Sequence, residues 1–506
     1  MKKLTLLASC ALSLVACATQ PVDKMGLKSL PTLATVSERY QAYNVEMVEV
    51  TGGRFWAPYD GPADERYRMR PPIDLSDPKL IALAKHLGPS LMRVSGTWAN
   101  NTYLEAEGEN LSSPPAGFVQ ILTRDQWRGV VNFSKAVDAP IVTSFAVSNG
   151  TRDAHGVWQT EQSQRLVDLT LDNDGEIYAA EFFNEVNMPT AAPEMPEDYD
   201  ADRYASEFRA FKQWARKALP DMKILGPGGV SEGRPKEQVP VATHGARKRL
   251  PSEELLKRLP NEVDAFSYHF YAIVSQRCES IGIGVAQKDE ALTHTWLDMT
   301  LRDYAFYEAL RDKYEPGKPI WNTETAQASC GGSPWAATFL DSFRYLNQLG
   351  LLAQKGVEVV MHNTLAASDY GLIDGDTLTP RPNYWSAVLW RKVMGNTVLT
   401  SPLSPDKDLK VYAHCLRDEP GGVGLLAMNI SNGQIELPVG YSSNVWLMTG
   451  EPVDTKSVRV NGVEPVINTS GEIVGLNPQA NSNGVSIPGQ AIAFIAVPDV
   501  ANSACL

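Results

Sequence analysis

Two glutamates in this chain are spaced as a pair of catalytic carboxylates. Glu324 follows the apolar run at residues 319–321, and Glu185 follows the mainly apolar run at residues 177–183. Short runs of this kind are typical of buried strands, and the spacing of the two glutamates fits three strand–helix units of roughly 45 residues each. Two carboxylates at strand ends can hydrolyse a glycosidic bond, one as proton donor and one as nucleophile. Each glutamate also fits an ordinary polar strand end.

The elements that position these glutamates alternate between strands and helices. Eight strand-like runs are separated by amphipathic segments, and polar residues gather directly after the strands. The runs lie at residues 44–50, 90–95, 139–147, 177–183, 222–225, 263–268, 319–321 and 357–361. This pattern predicts an α/β fold, a (β/α)8 TIM barrel with its chemistry at the carboxyl ends of the strands. We place this catalytic barrel at residues 44–390.

The C-terminal part of the chain changes in character from about residue 396. Short apolar runs alternate there with Gly, Asn, Pro and Asp, a pattern typical of an all-β domain. We expect a β-sandwich made of residues 396–506 together with residues 27–43.

The N-terminal segment has the features of an export signal. Lys2 and Lys3 precede an apolar run that is too short to span a membrane as a helix. Residues 14–17, Leu-Val-Ala-Cys, resemble a bacterial lipobox, which implies lipidation of Cys17. We therefore expect residues 1–17 to be a lipoprotein signal peptide and the protein to be an exported lipoprotein with a lipid anchor in the outer membrane, at the periplasm or cell surface. A plain secretory signal is the alternative.

Composition excludes several classes of partner. The formal net charge is −13 at pH 7, and the only dense basic run is Arg247–Arg249, so no nucleic-acid partner is expected. No His, Cys or Gly spacing matches a metal or nucleotide site, so we expect no metal and no cofactor. Four cysteines lie beyond the N-terminal segment: Cys278, Cys330, Cys415 and Cys505. In an exported protein they allow three disulfide connectivities.

Several motifs together resemble glycoside hydrolase family 79, the heparanases and β-glucuronidases within the clan of retaining barrel glycosidases. They cover most of the chain in the family's order. The motifs are residues 91–97, 181–187, 268–271, 316–334, 349–361, 382–385, 411–415 and 504–506, together with Tyr370.

The resemblance implies roles for the residues around the two glutamates. Glu185 would be the acid/base, Glu324 the nucleophile, and Asn184 would bind the sugar 2-hydroxyl. Tyr271 would hydrogen-bond Glu324.

The resemblance also implies a site for the uronate carboxylate. Backbone N–H groups of Cys330, Gly331 and Gly332 would bind the carboxylate, and the hydroxyl of Tyr370 would bind it as well. Cys330 departs from the family, which has a third glycine there. A Cys278–Cys330 disulfide would brace this loop, and a Cys415–Cys505 disulfide would be similar to one in the family.

Several other residues allow two interpretations. His269 is either structural or a proton shuttle, and His362 and Asn363 either line the sugar pocket or cap a strand. Trp98 and Trp335 either stack on sugar rings or pack in the core.

The resulting hypothesis is retaining hydrolysis of β-linked glucuronic acid by a monomer whose partner is a glucuronic-acid-containing carbohydrate. Exo action is favoured over heparanase-like endo action, because an endo enzyme for sulfated chains needs cationic subsites and this chain is acidic. The alternatives from other classes are a catalytically silent glycan-binding lipoprotein and a barrel glycosidase for another sugar.

Overall fold

The computed structural model describes residues 23–61, 65–234, 249–482 and 484–506. The described strands up to residue 362 are β1 (Thr32–Thr35), β2 (Gln41–Glu46), β3 (Gly53–Trp56), β4 (Tyr67–Arg70), β5 (Met92–Ser95), β6 (Thr102–Leu104), β7 (Gln120–Leu122), β8 (Ile141–Ser144), β9 (Ile177–Glu181), β10 (Lys223–Val230), β11 (Ala265–Tyr271), β12 (Ile320–Ala326) and β13 (Val359–His362). The later strands are β14 (Met394–Leu399), β15 (Leu409–Leu416), β16 (Val423–Asn429), β17 (Ile435–Leu437), β18 (Ser443–Thr449), β19 (Arg459–Val460), β20 (Val466–Ile467), β21 (Ile473–Val474), β22 (Gln479–Asn481), β23 (Val485–Ile487) and β24 (Ala491–Val497). The α-helices are α1 (Met47–Thr51), α2 (Pro78–Lys85), α3 (Arg124–Ala136), α4 (Glu161–Leu171), α5 (Ala201–Ala218), α6 (Ser252–Leu256), α7 (His294–Leu297), α8 (Thr300–Tyr314), α9 (Phe339–Gln354) and α10 (Pro382–Val393).

Eight parallel strands close into a barrel, which confirms the predicted fold class. The order is β2, β5, β8, β9, β10, β11, β12 and β13, and β13 pairs with β2 to complete the ring. Apolar side chains such as Leu91, Ala179 and Trp321 fill one layer of the interior. Because inward-facing residues recur every second position, Arg93 and Glu181 occupy the next layer towards the carboxyl ends. The barrel interior therefore changes from apolar to charged along its axis.

The first barrel strand differs from the prediction. Residues 44–50 were expected to be one strand, but β2 ends at Glu46 and α1 begins at Met47. The reason is a capping box, in which the Glu49 carboxylate accepts a hydrogen bond from the Glu46 N–H at 2.7 Å and starts the helix. At the other end, Gln41 pairs with Val360 of β13, so the barrel begins before the predicted boundary at residue 44.

An antiparallel sheet forms the C-terminal part of the molecule, as its all-β pattern predicted. Strands β14, β15, β16, β24, β18 and β19 follow one another in this sheet, β1 pairs with β14, and β22 pairs with β18. Along β16, Leu425 and Ala427 belong to one apolar core, whereas Leu426 and Met428 belong to the core shared with the barrel helices. The small sheet of β17 and β23 covers the first of these cores. Two-sided burial explains why β16 is apolar at nearly every position.

Two disulfides cross-link the chain, and both are the pairs expected from the sequence. Cys278 is bonded to Cys330, and Cys415 is bonded to Cys505. The lipobox and Cys17 lie outside the described residues. Among the helices that the structure does describe, none combines the length and apolarity needed to cross a membrane.

Candidate active site

Glu324 points into the barrel because β12 contains one extra residue. Trp321 faces the interior, so strict alternation would direct Thr323 inward and Glu324 outward. Between β11 and β12 the register slips, with Tyr268 opposite Asn322 but His269 opposite Glu324. This bulge turns Glu324 inward beside Thr323. The glutamate thus lies within the strand and not after its end, because β12 extends to Ala326.

Glu185 reaches the same space from the loop after β9. Its backbone adopts a left-handed conformation with φ of 52°, and its side chain is 13% exposed. A carboxylate oxygen of Glu185, one of Glu324 and a ring nitrogen of His269 all lie within 4.8 Å of one another. The two predicted catalytic carboxylates are therefore neighbours at the barrel mouth.

Two donors hold the Glu324 carboxylate from opposite sides. The Tyr271 hydroxyl donates to Oε1 at 2.7 Å, which is the hydrogen bond expected from the sequence motifs, and Arg93 Nη1 donates to Oε2 at 2.8 Å. Burial and the Glu324 charge raise the pKa of Tyr271 well above its ordinary value, so the phenol remains a donor. This arrangement fixes the direction in which the carboxylate faces.

Arg93 is a buried guanidinium at the centre of the site. Its Nη2 donates to Glu181 Oε2 at 2.9 Å and to Asn184 Oδ1 at 2.8 Å. Burial alone would raise the pKa of Glu181, but the charge of Arg93 and the hydrogen bond with His269 outweigh burial and hold that pKa well below its usual range. Glu181 is thus ionised and balances the charge of Arg93.

His269 lies among three carboxylates. Its Nδ1 is 3.4 Å from Glu185 Oε1 and 3.8 Å from Glu324 Oε2, and its Nε2 is 3.7 Å from Glu181 Oε2. Burial and the Arg93 guanidinium, whose Nη2 is 3.3 Å from Nε2, oppose protonation. The Glu324 charge and hydrogen bonds with Glu181 and Glu185 outweigh them and raise the pKa of His269 to about 9. The imidazole is consequently a cation at neutral pH.

Asn184 is oriented by contacts on both its backbone and its side chain. Asn100 holds the backbone, accepting from the Asn184 N–H at 2.9 Å and donating to the Asn184 carbonyl at 3.0 Å. Because the Oδ1 atom accepts from Arg93, the amide NH₂ faces the other way. This orientation suits donation to a sugar hydroxyl.

The loop at residues 330–332 follows β12 in a left-handed conformation. Cys330, Gly331 and Gly332 have φ values of 63°, 83° and 82°. A Cβ atom added at Gly331 would lie 2.7 Å from Trp56 Cβ, and one added at Gly332 would lie 2.8 Å from Ala336 Cβ. Both glycines are therefore required by space as well as by conformation.

The three N–H groups of this loop do not have equal roles. Gly332 N–H already donates to the Ala328 carbonyl at 3.2 Å, because the turn closes back on the end of β12. Cys330 and Gly331 N–H have no acceptor among the described residues. The expectation of three free donors is therefore reduced to two.

Asn363 connects Glu46 with the two tyrosines of the site. Its Nδ2 lies 2.9 Å from Glu46 Oε1, 3.0 Å from the Tyr271 oxygen and 3.2 Å from the Tyr370 oxygen. Burial, followed by the Glu324 charge, raises the pKa of Glu46 well above its ordinary value. No hydrogen bond among the described residues has the Tyr370 hydroxyl as its donor, so its phenolic hydrogen is available for a ligand.

The residues for which the sequence allows two interpretations have different surroundings in the structure. His362 contacts the Tyr370 carbonyl through Nε2 at 2.8 Å, and burial lowers its pKa to about 3, so it supports Tyr370 as a neutral donor. Trp335 is buried against Trp296 with ring centroids 5.6 Å apart, which makes it a core residue. Trp98 is partly exposed and packs edge-on against Phe55.

The basic cluster near residue 249 lies only partly within the structure. Arg247 and Lys248 lie outside the described residues, and Arg249 is exposed.

Sequence reasoning assigned no role to Arg93, Glu46 or Glu181. The signal was present, since Arg93 and Glu181 are charged residues inside otherwise apolar strands. A charge in such a position is rarely buried without a partner. Glu46 carried no comparable signal, because residues 44–50 alternate like a half-exposed strand.

Glu185, His269 and Glu324 are the described residues whose ligand atoms cluster closely enough to hold a metal ion. The same arrangement of two carboxylates and an imidazole also suits proton transfer and nucleophilic attack.

A closed barrel with paired glutamates at its mouth is the architecture of barrel glycoside hydrolases. The structure superimposes on the crystal structure of a 4-O-α-L-rhamnosyl-β-D-glucuronidase from Fusarium oxysporum with a TM-score of 0.64, covering 93% of this chain and 99% of that one. Sequence identity to that enzyme is 12%, so this likeness concerns the fold.

The sequence relatives are more similar to this chain than the structural neighbour is. Bos taurus heparanase is 29% identical over 336 residues, which cover 62% of this chain and 56% of that protein. Baicalin-β-D-glucuronidase from Scutellaria baicalensis is 30% identical over 259 residues, 48% of this chain and 47% of that protein. The chain thus aligns with about half the length of both relatives. No family model matches it. These relatives confirm the resemblance to glycoside hydrolase family 79.

Proposed function

We propose that the protein is a retaining β-glucuronidase that removes glucuronic acid from the end of a carbohydrate. The observation that carries this proposal is that one carboxylate oxygen of Glu185 lies within 4.8 Å of one carboxylate oxygen of Glu324. Retaining glycosidases hold their carboxyl groups about 5 to 5.5 Å apart, whereas inverting enzymes leave about 6.5 to 9.5 Å for a water molecule. The short separation favours a covalent intermediate.

The reaction proceeds in two displacements. Glu324, held by Tyr271 and Arg93, attacks the anomeric carbon while the bond to the leaving oxygen breaks and Glu185 gives that oxygen its proton. Glu185 then takes a proton from water as the water oxygen attacks the same carbon and releases Glu324. The sugar leaves with its original anomeric configuration, and both carboxyl groups return to their starting states.

Specificity for a uronate rests on donors beside the nucleophile. Cys330 and Gly331 N–H and the Tyr370 hydroxyl are the available donors. Backbone amides in a glycine turn form a concave anion site. The glucuronidase names of several relatives agree with this substrate class.

Exo action is favoured because an endo enzyme for sulfated chains needs cationic subsites, whereas the formal net charge of this chain is −13 at pH 7. The two carboxylates are also little exposed. The Glu324 side chain is 7% exposed and that of Glu185 is 13% exposed. A terminal sugar needs only one end of the site to be open.

A heparanase-like endo action is the second candidate, and one surface favours it. Arg54 and Arg66 are exposed on the hairpin of β3 and β4, and no carboxylate among the described residues pairs with either. Both guanidinium groups lie over Tyr67, whose ring stacks on Trp56 beside the Gly331 loop. Cationic and aromatic groups of this kind suit an acidic polymer.

Release of p-nitrophenol from the β-glucuronide tests the proposal. Glu324→Gln and Glu185→Gln are each expected to lower kcat by about 10³ or more, because each group contributes several kcal/mol of barrier lowering. Wild-type activity unchanged in either variant contradicts the paired-carboxylate mechanism. Proton NMR of the first-formed sugar decides between retention and inversion.

Product size decides between the two modes of cleavage. Free glucuronic acid from an oligosaccharide supports exo action, and shortened oligosaccharides support endo action. An intact polymer and an unreacted p-nitrophenyl substrate leave glycan binding without turnover as the function.

We also propose that the protein is exported as a monomeric lipoprotein anchored through Cys17. The support is the lipobox-like sequence at residues 14–17. Cys17→Ser is expected to move the protein from the membrane fraction to the soluble fraction. Equal membrane recovery of both forms contradicts the anchor.

A further inference from the structure

We propose that Arg277 is a positioning residue for the uronate site, which it serves by polarising and holding the peptide group between Cys330 and Gly331. This inference rests on the proposed uronate specificity. Arg277 lies on the loop after β11, next to the disulfide-bonded Cys278. Its side chain is only 4% exposed.

Every N–H group of Arg277 has an acceptor on a wall of the site. Nη1 donates to the Gly332 carbonyl at 2.8 Å and to the Cys330 carbonyl at 3.3 Å. Nε donates to the Ala57 carbonyl at 2.8 Å, and Nη2 contacts that carbonyl and the Asp369 carboxylate. The guanidinium therefore connects the loops after β3, β12 and β13.

The contact between Arg277 and the Cys330 carbonyl affects the strength of the Gly331 N–H as a hydrogen-bond donor. The Cys330 carbonyl and the Gly331 N–H belong to one peptide group. Ser275 Oγ donates to this carbonyl at 2.9 Å, in addition to Arg277. Hydrogen bonds accepted by a carbonyl polarise the peptide and strengthen its N–H as a donor. Gly331 N–H is one of the two loop donors without an acceptor among the described residues.

The ion pair with Asp369 connects Arg277 to the segment that carries Tyr370. Asp369 N–H donates to the Gly331 carbonyl at 3.1 Å, and Tyr370 is the next residue. Arg277 thus holds the backbone donor and the phenolic donor in one rigid unit. Because its guanidinium is enclosed by these acceptors, it acts without touching the sugar. Donors that are polarised and held in this way would favour a uronate over a neutral sugar.

Binding of free D-glucuronate and D-glucose, measured by isothermal titration calorimetry, tests the proposal without requiring turnover. Arg277→Gln is expected to lower the preference for glucuronate by roughly tenfold or more. Arg277→Lys should restore only part of it, since an ammonium group cannot span the same acceptors. Hydrolysis of p-nitrophenyl β-glucuronide should show the loss mainly in KM.

Arg152→Gln is the matched control. Arg152 is also 4% exposed, and it donates to the carbonyls of Gly156 and Val147 and to the carboxylate of Glu207. It contacts none of the residues at the uronate site. Its loss should lower stability but leave the preference for glucuronate unchanged.

Each outcome decides between the proposals. A preserved preference in Arg277→Gln overturns the role of Arg277 but leaves glucuronide hydrolysis standing. A wild type that does not prefer glucuronate over glucose overturns both this role and the uronate specificity. If Arg277→Gln does not fold, Arg277→Lys takes its place, because it keeps the charge but cannot span the same acceptors. A reduced preference then supports the proposal, and an unchanged preference overturns it.

Discussion

Tyr271 donates its phenolic hydrogen to Glu324 across the mouth of the barrel, at 2.7 Å from Oε1. Both side chains face the barrel interior, although β11 alternates regularly and its neighbour β12 contains one extra residue. The bulge in β12 brings Glu324 into line with the regular alternation of β11.

Tyr271→Phe is expected to lower kcat on a β-glucuronide by about 10- to 100-fold, because a hydrogen bond to a charged group is worth about 1.5–3 kcal/mol. Tyr268→Phe is the matched control on the same strand. The Tyr268 hydroxyl is buried without a hydrogen-bond partner among the described residues. Comparable losses in both variants would show that the effect comes from packing.

Glu181→Gln and Glu46→Gln are expected to have opposite effects on the free energy of unfolding at pH 6. Glu181 is an ionised partner of buried Arg93, so its neutralisation should cost about 3–5 kcal/mol. Burial raises the pKa of Glu46, so folding requires this group to take up a proton above its unfolded pKa. Glu46→Gln should therefore be neutral or stabilising. Urea denaturation measures both, and similar destabilisation would contradict the assigned charges.

His269 is expected to make stability fall as the pH rises from about 6.5 to 9. Its folded pKa of about 9 exceeds the ordinary value of 6.5, so its stabilisation is complete below pH 6.5 and is lost as the pH rises through 9. The lost stability is roughly 3 kcal/mol. Urea denaturation across this range should show that the free energy of unfolding falls less steeply with pH in His269→Gln than in the wild type.

His414→Gln is the control for this measurement. Burial lowers the pKa of His414 to about 4, so this residue is neutral in both states above pH 6.5. If both variants weaken the pH dependence of the free energy of unfolding equally, His269 is not its cause.

Loss of either disulfide should lower the free energy of unfolding by a similar amount, but only one of the two losses should change KM for a glucuronide. The bridged residues are 52 and 90 positions apart, and loop closure predicts about 4 kcal/mol for each. The Cys278→Ala, Cys330→Ala double variant should also raise KM for a glucuronide, because it frees the uronate loop. The Cys415→Ala, Cys505→Ala double variant should leave KM unchanged. A raised KM in both would point to general loosening.

Tyr370→Phe should weaken glucuronide hydrolysis by about 10- to 100-fold while affecting a neutral β-glucoside much less. The reason is that the available phenolic hydrogen has a charged partner only in the uronate. Tyr43→Phe is the control, since that buried hydroxyl has no partner among the described residues. Equal losses on both substrates would remove the carboxylate role of Tyr370.

Much of the barrel was predictable because each strand and helix has its own periodicity. The predicted run at residues 177–183 corresponds closely to β9, and α5 is one of the amphipathic segments expected between the strands. The bulge in β12 was not predictable, since a period of two gives no sign of one extra residue. The start of α1 was missed because the capping box competes with a strand-like pattern.

The residues proposed as catalytic could be predicted from the sequence, but the contacts that support them were less predictable. Glu185 and Glu324 were found from local patterns, and motif resemblance added Tyr271 and Tyr370. The commitment of Gly332 N–H to Ala328 depends on how the turn closes, which residue types alone do not determine. Arg277 joins three loops that are distant in sequence, so only the folded chain reveals its position.

The C-terminal sheet limits how this enzyme can be divided. Gly350 of α9 approaches the Tyr412 ring so closely that an added Cβ would lie 2.6 Å from it, and Tyr412 donates to Asn347 at 2.6 Å. Leu426 and Phe494 continue the same apolar contact. A barrel expressed alone would present this face of α9 and α10 to water. Grafting the barrel into another protein therefore requires carrying the sheet with it.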